Sequence, residues 1–444
     1  MKKILQNTFL LILFCTSVSV YSSTGDILTS RNQVNVINTI IEDRLDNLLP
    51  DLMKEAGINM WLVINREYAE DRLYFSLVPQ PSFAARRTTM LIFLYNEEKH
   101  KVERYSISKY PLTNFYENIG KQPSLDEQWQ LLVKFIETKA PENIALNYSK
   151  HLALADGLTH GLYQKLQQEL PEQLTRKLIS AEPLIIRWQE TRSEKELAIY
   201  PHIVALARNV ISEAFSNKVI SPGITTTDDV SWYIRERFEA LNLRPWFQPY
   251  VTNQKQSDKN TLEMGSYGRS HRVIEQGDIL HTDVGICYLN LCTDTQEMGY
   301  VLKVNERKVP QGLVNAMAEG NRWQDLVTGE FKIGRTGNII LKKAQNASKK
   351  EGIKASLYSH PIGFVGHAAG PAIGMWDNQN HVDISGDRKL NPNTAYAIEG
   401  NIKYLYEGWD NQPIQIYLEQ TAIFNGKEVI YLGDRQTQWH IVTP

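Results

Sequence analysis

"ILHTDVGICYLNLCTDTQEMGYVL", residues 279–302, reads as two strands around a tight bend, with an aspartate in each strand. Strand interiors are usually depleted of Asp, so Asp283 and Asp294 need a reason. They lie eleven residues apart, and their numbers sum to an odd value. If a loop of even length joins the strands, cross-strand partners also sum to an odd value. Side chains alternate faces with period two, so both aspartates then share one face. Gly285 lies on that face and leaves room beside them, while Thr282, Val284 and Ile286 point the other way as core. Two carboxylates converging on one sheet face repel each other unless a cation neutralises them.

Working outward, three later segments carry the same kind of residue. "SHPIGFVGHAAGPAIGMWD" (359–377) holds His360 and His367 in a glycine-rich frame. "AYAIEGN" (395–401) puts Glu399 on a strand face with Ala395 and Ala397, opposite Tyr396 and Ile398. "PIQIYLEQTAIF" (413–424) turns Ile414, Ile416 and Leu418 to the core and Glu419 to the other side with Tyr417 and Gln415. Each alone is weak, because a strand Glu is usually a solvated position and a lone His is usually structural. The ordered set of two Asp, a His and two Glu is a much stronger signal. Oxygen-rich ligands with one imidazole suit hard or borderline divalent ions.

The whole chain sets the context. Its 444 residues are 42% hydrophobic and 22% charged, which is ordinary globular composition with enough material for a large core. The formal net charge is -2, from 48 basic and 50 acidic residues, so no basic excess points to nucleic acid or an anionic membrane surface. Lys2 and Lys3 precede the short apolar run "TFLLILFCTSVSV" (8–20), with Ser22 and Ser23 after it. That is a signal-peptide pattern, too short for a comfortable bilayer span. No later segment is apolar and long enough to cross a membrane, and the expectation is an exported protein, periplasmic or secreted. After cleavage at about residue 23 only Cys287 and Cys292 remain. They flank the bend "YLNL"; two buried free thiols are the simpler expectation, with a disulfide as the alternative in an oxidising compartment.

The first half alternates helical and strand patterns. Residues 33–56 have helical spacing, 60–65, 88–96, 101–108 and 143–149 are strand-like, and 125–138 and 157–178 are helical. This predicts an α/β domain over 24–188, with no acidic, histidine or glycine-loop cluster of its own. A second unit is expected over 189–444. Ser193 caps a helix there with Glu196 three residues on, and a second helix follows near 227–241. A further helical stretch lies near 310–352 before a strand-rich tail.

"GDILHTDVG", "CTDTQ", "GHAAG", "AIEGN" and "YLEQTAI" resemble, in order, the five ligand segments of the pita-bread metallopeptidases, the family of methionine aminopeptidase, aminopeptidase P and prolidase. The first half resembles the extra domain of the aminopeptidase P, prolidase and creatinase branch. The resemblance implies an α/β (α+β) chain: a creatinase-like N-terminal domain followed by a pita-bread catalytic domain. It implies two divalent ions, with manganese placed first and cobalt, zinc or iron as alternatives. Asp283, Asp294, His367, Glu399 and Glu419 would be the ligands, with Asp294 and Glu419 bridging. Glu399 would also shuttle a proton from a metal-bridging hydroxide to the leaving amine. The implied substrate is a peptide, cut at an Xaa-Pro bond at its N-terminus or in a dipeptide, and a homodimer is the oligomer the analogy offers.

The chain departs from the family pattern. Ser266 stands where a substrate-side His is usual, with His271 the nearest histidine, and Gly374 stands seven residues after His367 where a second His is common. His360 and His271 are therefore candidate catalytic imidazoles. Trp376 is a candidate pocket wall, and Arg269 and Arg272 read as solvated turn charges. A creatinase-like C–N hydrolase and a metal-free binding module of the same fold are the competing readings; the complete ligand set disfavours both.

Overall fold

The computed structural model describes residues 27–112, 114–258 and 271–444. The expected signal peptide, Ser266 and Arg269 lie outside the described residues.

The first half begins with α1 (Ser30–Asp43) and α2 (Leu49–Glu55), joined by a π-helical turn at Arg44–Leu48. The single helix expected over 33–56 is thus interrupted where Arg44 turns inward. Then come β1 (Met60–Arg66), β2 (Thr88–Asn96), β3 (Lys101–Ser108), β4 (Glu117–Asn118), α3 (Leu125–Lys139), β5 (Ile144–Leu146), α4 (His160–Glu169), α5 (Glu172–Thr175), β6 (Leu178–Ser180) and α6 (Glu182–Glu190). The helix expected over 157–178 breaks at Leu170, just before Pro171, which cannot continue it. The strands form one sheet in the order β4-β3-β2-β1-β5-β6. Alternate residues of β1 enter separate cores: Trp61 and Val63 on one face, Met60, Leu62 and Ile64 on the other. The expected division after residue 188 falls inside α6, whose Leu184, Ile185 and Trp188 still belong to the first core.

The second half starts with α7 (Glu194–Ala214) and α8 (Thr227–Ala240). Ser193 and Glu196 form the expected capping box, and Thr226 with Asp229 forms another. Next come β7 (Arg244–Pro245), β8 (Tyr250–Gln254), β9 (Ile279–Val284), β10 (Ile286–Tyr288), β11 (Leu291–Cys292) and β12 (Thr295–Val301). They are followed by α9 (Gln311–Thr328), α10 (Gly337–Lys350), β13 (Lys354–Pro361), β14 (Thr394–Tyr406), β15 (Gln412–Phe424), β16 (Val429–Tyr431) and β17 (His440–Val442). The main sheet runs β13-β14-β15-β12-β9-β8, with β16 on β15 and β17 on β12. Two apolar cores flank it. One joins Tyr396, Ile398, Ile416 and Leu418 to α9 and α10, and the other packs β9 against α7 and α8.

The 279–302 stretch is one hairpin nested inside another. β9 pairs with β12 in the main sheet, while β10 and β11 close a separate three-stranded sheet with β7. Gln296 faces Asp283 and Thr295 faces Val284, so the register sums to an odd number, as the parity argument requires. Cys287 and Cys292 are cross-strand partners and are bonded as a disulfide, their Cα atoms 4.0 Å apart. This corrects the expectation of free thiols: direct pairing across the tip brings the sulfurs together. Among the described residues no helix is long and apolar enough to cross a membrane.

Candidate functional site

The strand registers align six side chains in one row across the main sheet. Tyr358 on β13 faces Glu399 on β14, which faces Glu419 on β15. Glu419 faces Gln296 on β12, Gln296 faces Asp283 on β9, and Asp283 faces Tyr250 on β8. Asp294 and His360 sit two residues along from Gln296 and Tyr358, so period two keeps them on the same face. Residues as distant as 250 and 419 thereby converge without any local motif joining them.

Their ligand atoms are close. Asp283, Asp294 and Glu419 offer oxygens within 4.8 Å of one another, and so do His360, Glu399 and Glu419. These two groups share Glu419. The four carboxylates are desolvated together, and burial raises all of their pKa values. Asp283 is pushed up to about 7 by burial, opposed by a hydrogen bond with the Tyr250 side chain. Asp294 goes well above its usual range through burial and the charges of Asp283 and Glu399. Glu399 and Glu419 rise for the same two reasons. Asp283 Oδ1, Asp294 Oδ1, Glu419 Oε1 and His360 Nε2 are buried without a hydrogen-bond partner. Buried polar atoms are nearly always satisfied. Four orphaned ligand atoms in one cluster fit divalent cations, which would complete them.

Both histidines lie beside the carboxylates, in different settings. His360, at the end of β13, is buried, and its Nε2 lies 3.6 Å from both Asp294 Oδ2 and Glu399 Oε2. Its Nδ1–H donates to the Pro361 carbonyl at 3.1 Å, leaving the Nε2 lone pair facing the carboxylates. Burial, aided by neighbouring His367, lowers its pKa to about 3, so the ring is neutral. His367 stands above it at the mouth of the cleft, exposed, with ring centres 4.5 Å apart. It is still within reach, since Asp294, His360 and His367 form a further group of close ligand atoms. The physical reason is that His360 rides on a strand in register with the glutamates, whereas His367 lies on the loop beyond. His360 and His367 are themselves seven residues apart. Gly374 needs no imidazole there: its φ is +71°, and a Cβ would come within 2.2 Å of the Leu357 carbonyl.

His271 does not join the site. Its side chain is 76% exposed and pairs with Asp228 on α8 at 3.4 Å. Arg272 is no free turn charge: it makes a bidentate pair with Asp258 at 2.8 and 2.9 Å.

The cleft over the cluster encloses about 370 Å3. Its walls include Trp246, Phe247, Tyr250, Tyr358, Trp376 and Tyr417. Trp376 lies 60% exposed at the rim. The room expected beside Gly285 is taken: a Cβ there would lie 2.1 Å from Trp246 Nε1 and 2.5 Å from Phe247. Trp246 also covers Gly366 and donates to the Thr293 carbonyl. These glycines let an aromatic wall approach the backbone closely. Neither ring was singled out from the sequence, and no periodicity marks them. Gln296, also not anticipated, sits among the acids themselves.

The family model described as metallopeptidase family M24 matches residues 201–426, just over half of the chain. No curated protein sequence matches. Solved structures match over most of the chain. An X-Pro aminopeptidase from Thermotoga maritima aligns with a TM-score of 0.62 at 16% identity, covering 89% of this chain and 100% of its own. An Xaa-Pro dipeptidase from Bacillus anthracis aligns at 0.58 and 15%, covering 94% and 100%. A dipeptidase from Mycobacterium ulcerans aligns at 0.58 and 15%, covering 93% and 99%. At such identities these likenesses speak for the fold.

Proposed function

Because the chain belongs to metallopeptidase family M24, we propose that this peptidase works with two divalent ions held by Asp283, Asp294, His360, Glu399 and Glu419, and cleaves Xaa-Pro bonds in exported or extracellular peptides. The observation that carries this reading is the meeting of five ligand side chains on one sheet face, four of them with an unsatisfied buried atom. Two ligand groups sharing Glu419 favour a pair of ions over one. Manganese, cobalt, zinc and iron all suit such a donor set.

When bound, such ions polarise a substrate carbonyl and make water acidic enough to attack at neutral pH. The protein supplies the rest. Glu399, beside the imidazole of His360 and open to the cleft, takes a proton from the attacking water and returns it to the departing amine. His367, above the cluster and open to the cleft, donates to the substrate carbonyl oxygen as charge develops there. The aromatic walls, Trp246 and Trp376 among them, exclude water and offer flat surfaces to a proline ring. The N-terminal signal pattern and the disulfide suit an oxidising compartment outside the cytoplasm.

The test is release of the first residue from an Xaa-Pro peptide by the mature chain, with metal content measured on the same sample. Chelator-sensitive hydrolysis and about two bound ions per chain are expected. Glu399→Gln should lose turnover by at least about 100-fold, the lower range for a general acid–base. Hydrolysis that survives complete metal removal would overturn the reading.

A further inference from the structure

Of the side chains that touch the carboxylates, Gln296 has no part in the reading above. It stands mid-row, facing Asp283 on one side and Glu419 on the other. Its buried amide Nε2 donates to Glu399 Oε1 at 3.0 Å and to Glu419 Oε2 at 2.9 Å. Its Oε1 faces away, 2.8 Å from His281 Nε2. A carboxamide turned end for end would set its oxygen against two carboxylates, so its orientation matters. His281 decides that orientation. The Thr252 hydroxyl lies 3.4 Å from His281 Nδ1, and a proton donated there leaves the ring proton on Nε2, directed at Gln296 Oε1. Tyr417 stacks on the imidazole with ring centres 4.3 Å apart and holds its plane.

We propose that Gln296 is a positioning residue for the metal centre: its amide holds Glu399 and Glu419 in the rotamers that ligate divalent cations, and Thr252 and His281 fix which end of the amide faces them. This rests on the reading of the cluster as a metal centre. Each carboxylate oxygen has two lone pairs, so accepting from the amide still leaves one for a cation. Hydrogen bonds to charged acceptors are the strong ones, and two of them offset part of the repulsion between the glutamates before an ion arrives. A neutral donor does this without cancelling the negative charge that draws the ions in. A lysine here would compete with them, and a glutamate would add a fifth repelling charge. Partners of this kind, one step removed from the metal, typically govern affinity by about 10–100-fold.

The experiment compares wild type, Q296M, H281F and the double variant as folded, metal-stripped proteins. Mn2+ binding is measured by calorimetric titration, and kcat and KM for an Xaa-Pro peptide at saturating Mn2+. Q296M keeps the side-chain length and removes the amide; H281F keeps the stack on Tyr417 and removes the donor. Q296M is expected to weaken Mn2+ binding about 10–100-fold. It should lower kcat while KM stays within about twofold, since misplaced ligands harm the chemical step more than substrate contact. H281F should shift both readings the same way by less, and add nothing in the Q296M background. Wild-type Mn2+ affinity in Q296M, with binding lost in Asp294→Asn, would overturn the role of Gln296 and leave the metal centre intact. Failure of the wild type to bind Mn2+, Co2+ or Zn2+ would overturn both. Should Q296M not fold, wild-type affinity in H281F would overturn the positioning relay on its own.

Discussion

Asp71 in the first half and Asp294 in the second are both buried aspartates with pKa values raised by burial. Their surroundings differ in kind. Asp71 Oδ1 accepts from the Leu73 amide, and Oδ2 accepts from Asn147, whose own carbonyl oxygen accepts from Trp61 Nε1. Every oxygen of that carboxylate has a partner within the protein. Asp294 Oδ1 has none, and Asp283 and Glu419 offer further carboxylate oxygens within 4.8 Å of its carboxylate. A satisfied buried charge ties segments together and is structural. A cluster of unsatisfied like charges is unfavourable by itself and makes sense only with a ligand.

That contrast can be broken by exchanging the two sites' fates. Asp294→Asn should reduce turnover by more than about 100-fold, beyond the usual limit for residues that only support a ligand. Asp71→Ala should leave turnover within about twofold in the folded fraction, yet cost about 1–3 kcal/mol of stability by stranding Asn147 and the Leu73 amide. Urea unfolding with parallel peptide assays reads both. Equal loss of activity in the two variants would erase the distinction.

The second test uses pH. Burial pushes Asp283 up to about 7 in the folded, metal-free protein, against an ordinary 3.8, and raises its three carboxylate neighbours with it. The folded state therefore binds more protons than the unfolded state between those values, and stability falls as pH rises through that window. Metal-free protein should unfold at lower urea at pH 8 than at pH 5, by on the order of 2–4 kcal/mol at about 1.4 kcal/mol per unit. Saturating Mn2+ should remove the decline. A flat profile without metal would mean that the acids are satisfied after all.

A smaller effect concerns the wall over the cluster. Gly285→Ala places a methyl where Trp246 and Phe247 now pack. It should cost about 1–3 kcal/mol and raise KM, because the rings must move out of contact. The smallest is His271→Ala, which should leave kcat/KM within about twofold, because the ring is exposed and pairs with Asp228 away from the carboxylates.

Much of this was legible in the residues. The odd register of Asp283 and Asp294 and the shared face of Glu399 and Glu419 follow from strand period two, and both capping boxes follow from local hydrogen bonding. These are short-range rules and hold wherever the element forms. The relative placement of His360 and His367 was less legible, because a glycine-rich loop has no period from which direction can be read.

By itself, then, the chain of residues determined which acids face one way along each strand, where the helices begin, and the family to which those acids belong. Tertiary structure alone decided which imidazole meets the carboxylates, that Gln296 stands between two glutamates, that Trp246 and Phe247 fill the space over Gly285, and that Cys287 bonds Cys292. The physical reason is range: facing follows from the geometry of one strand, while meeting depends on the registers among six strands and on segments separated by more than a hundred residues.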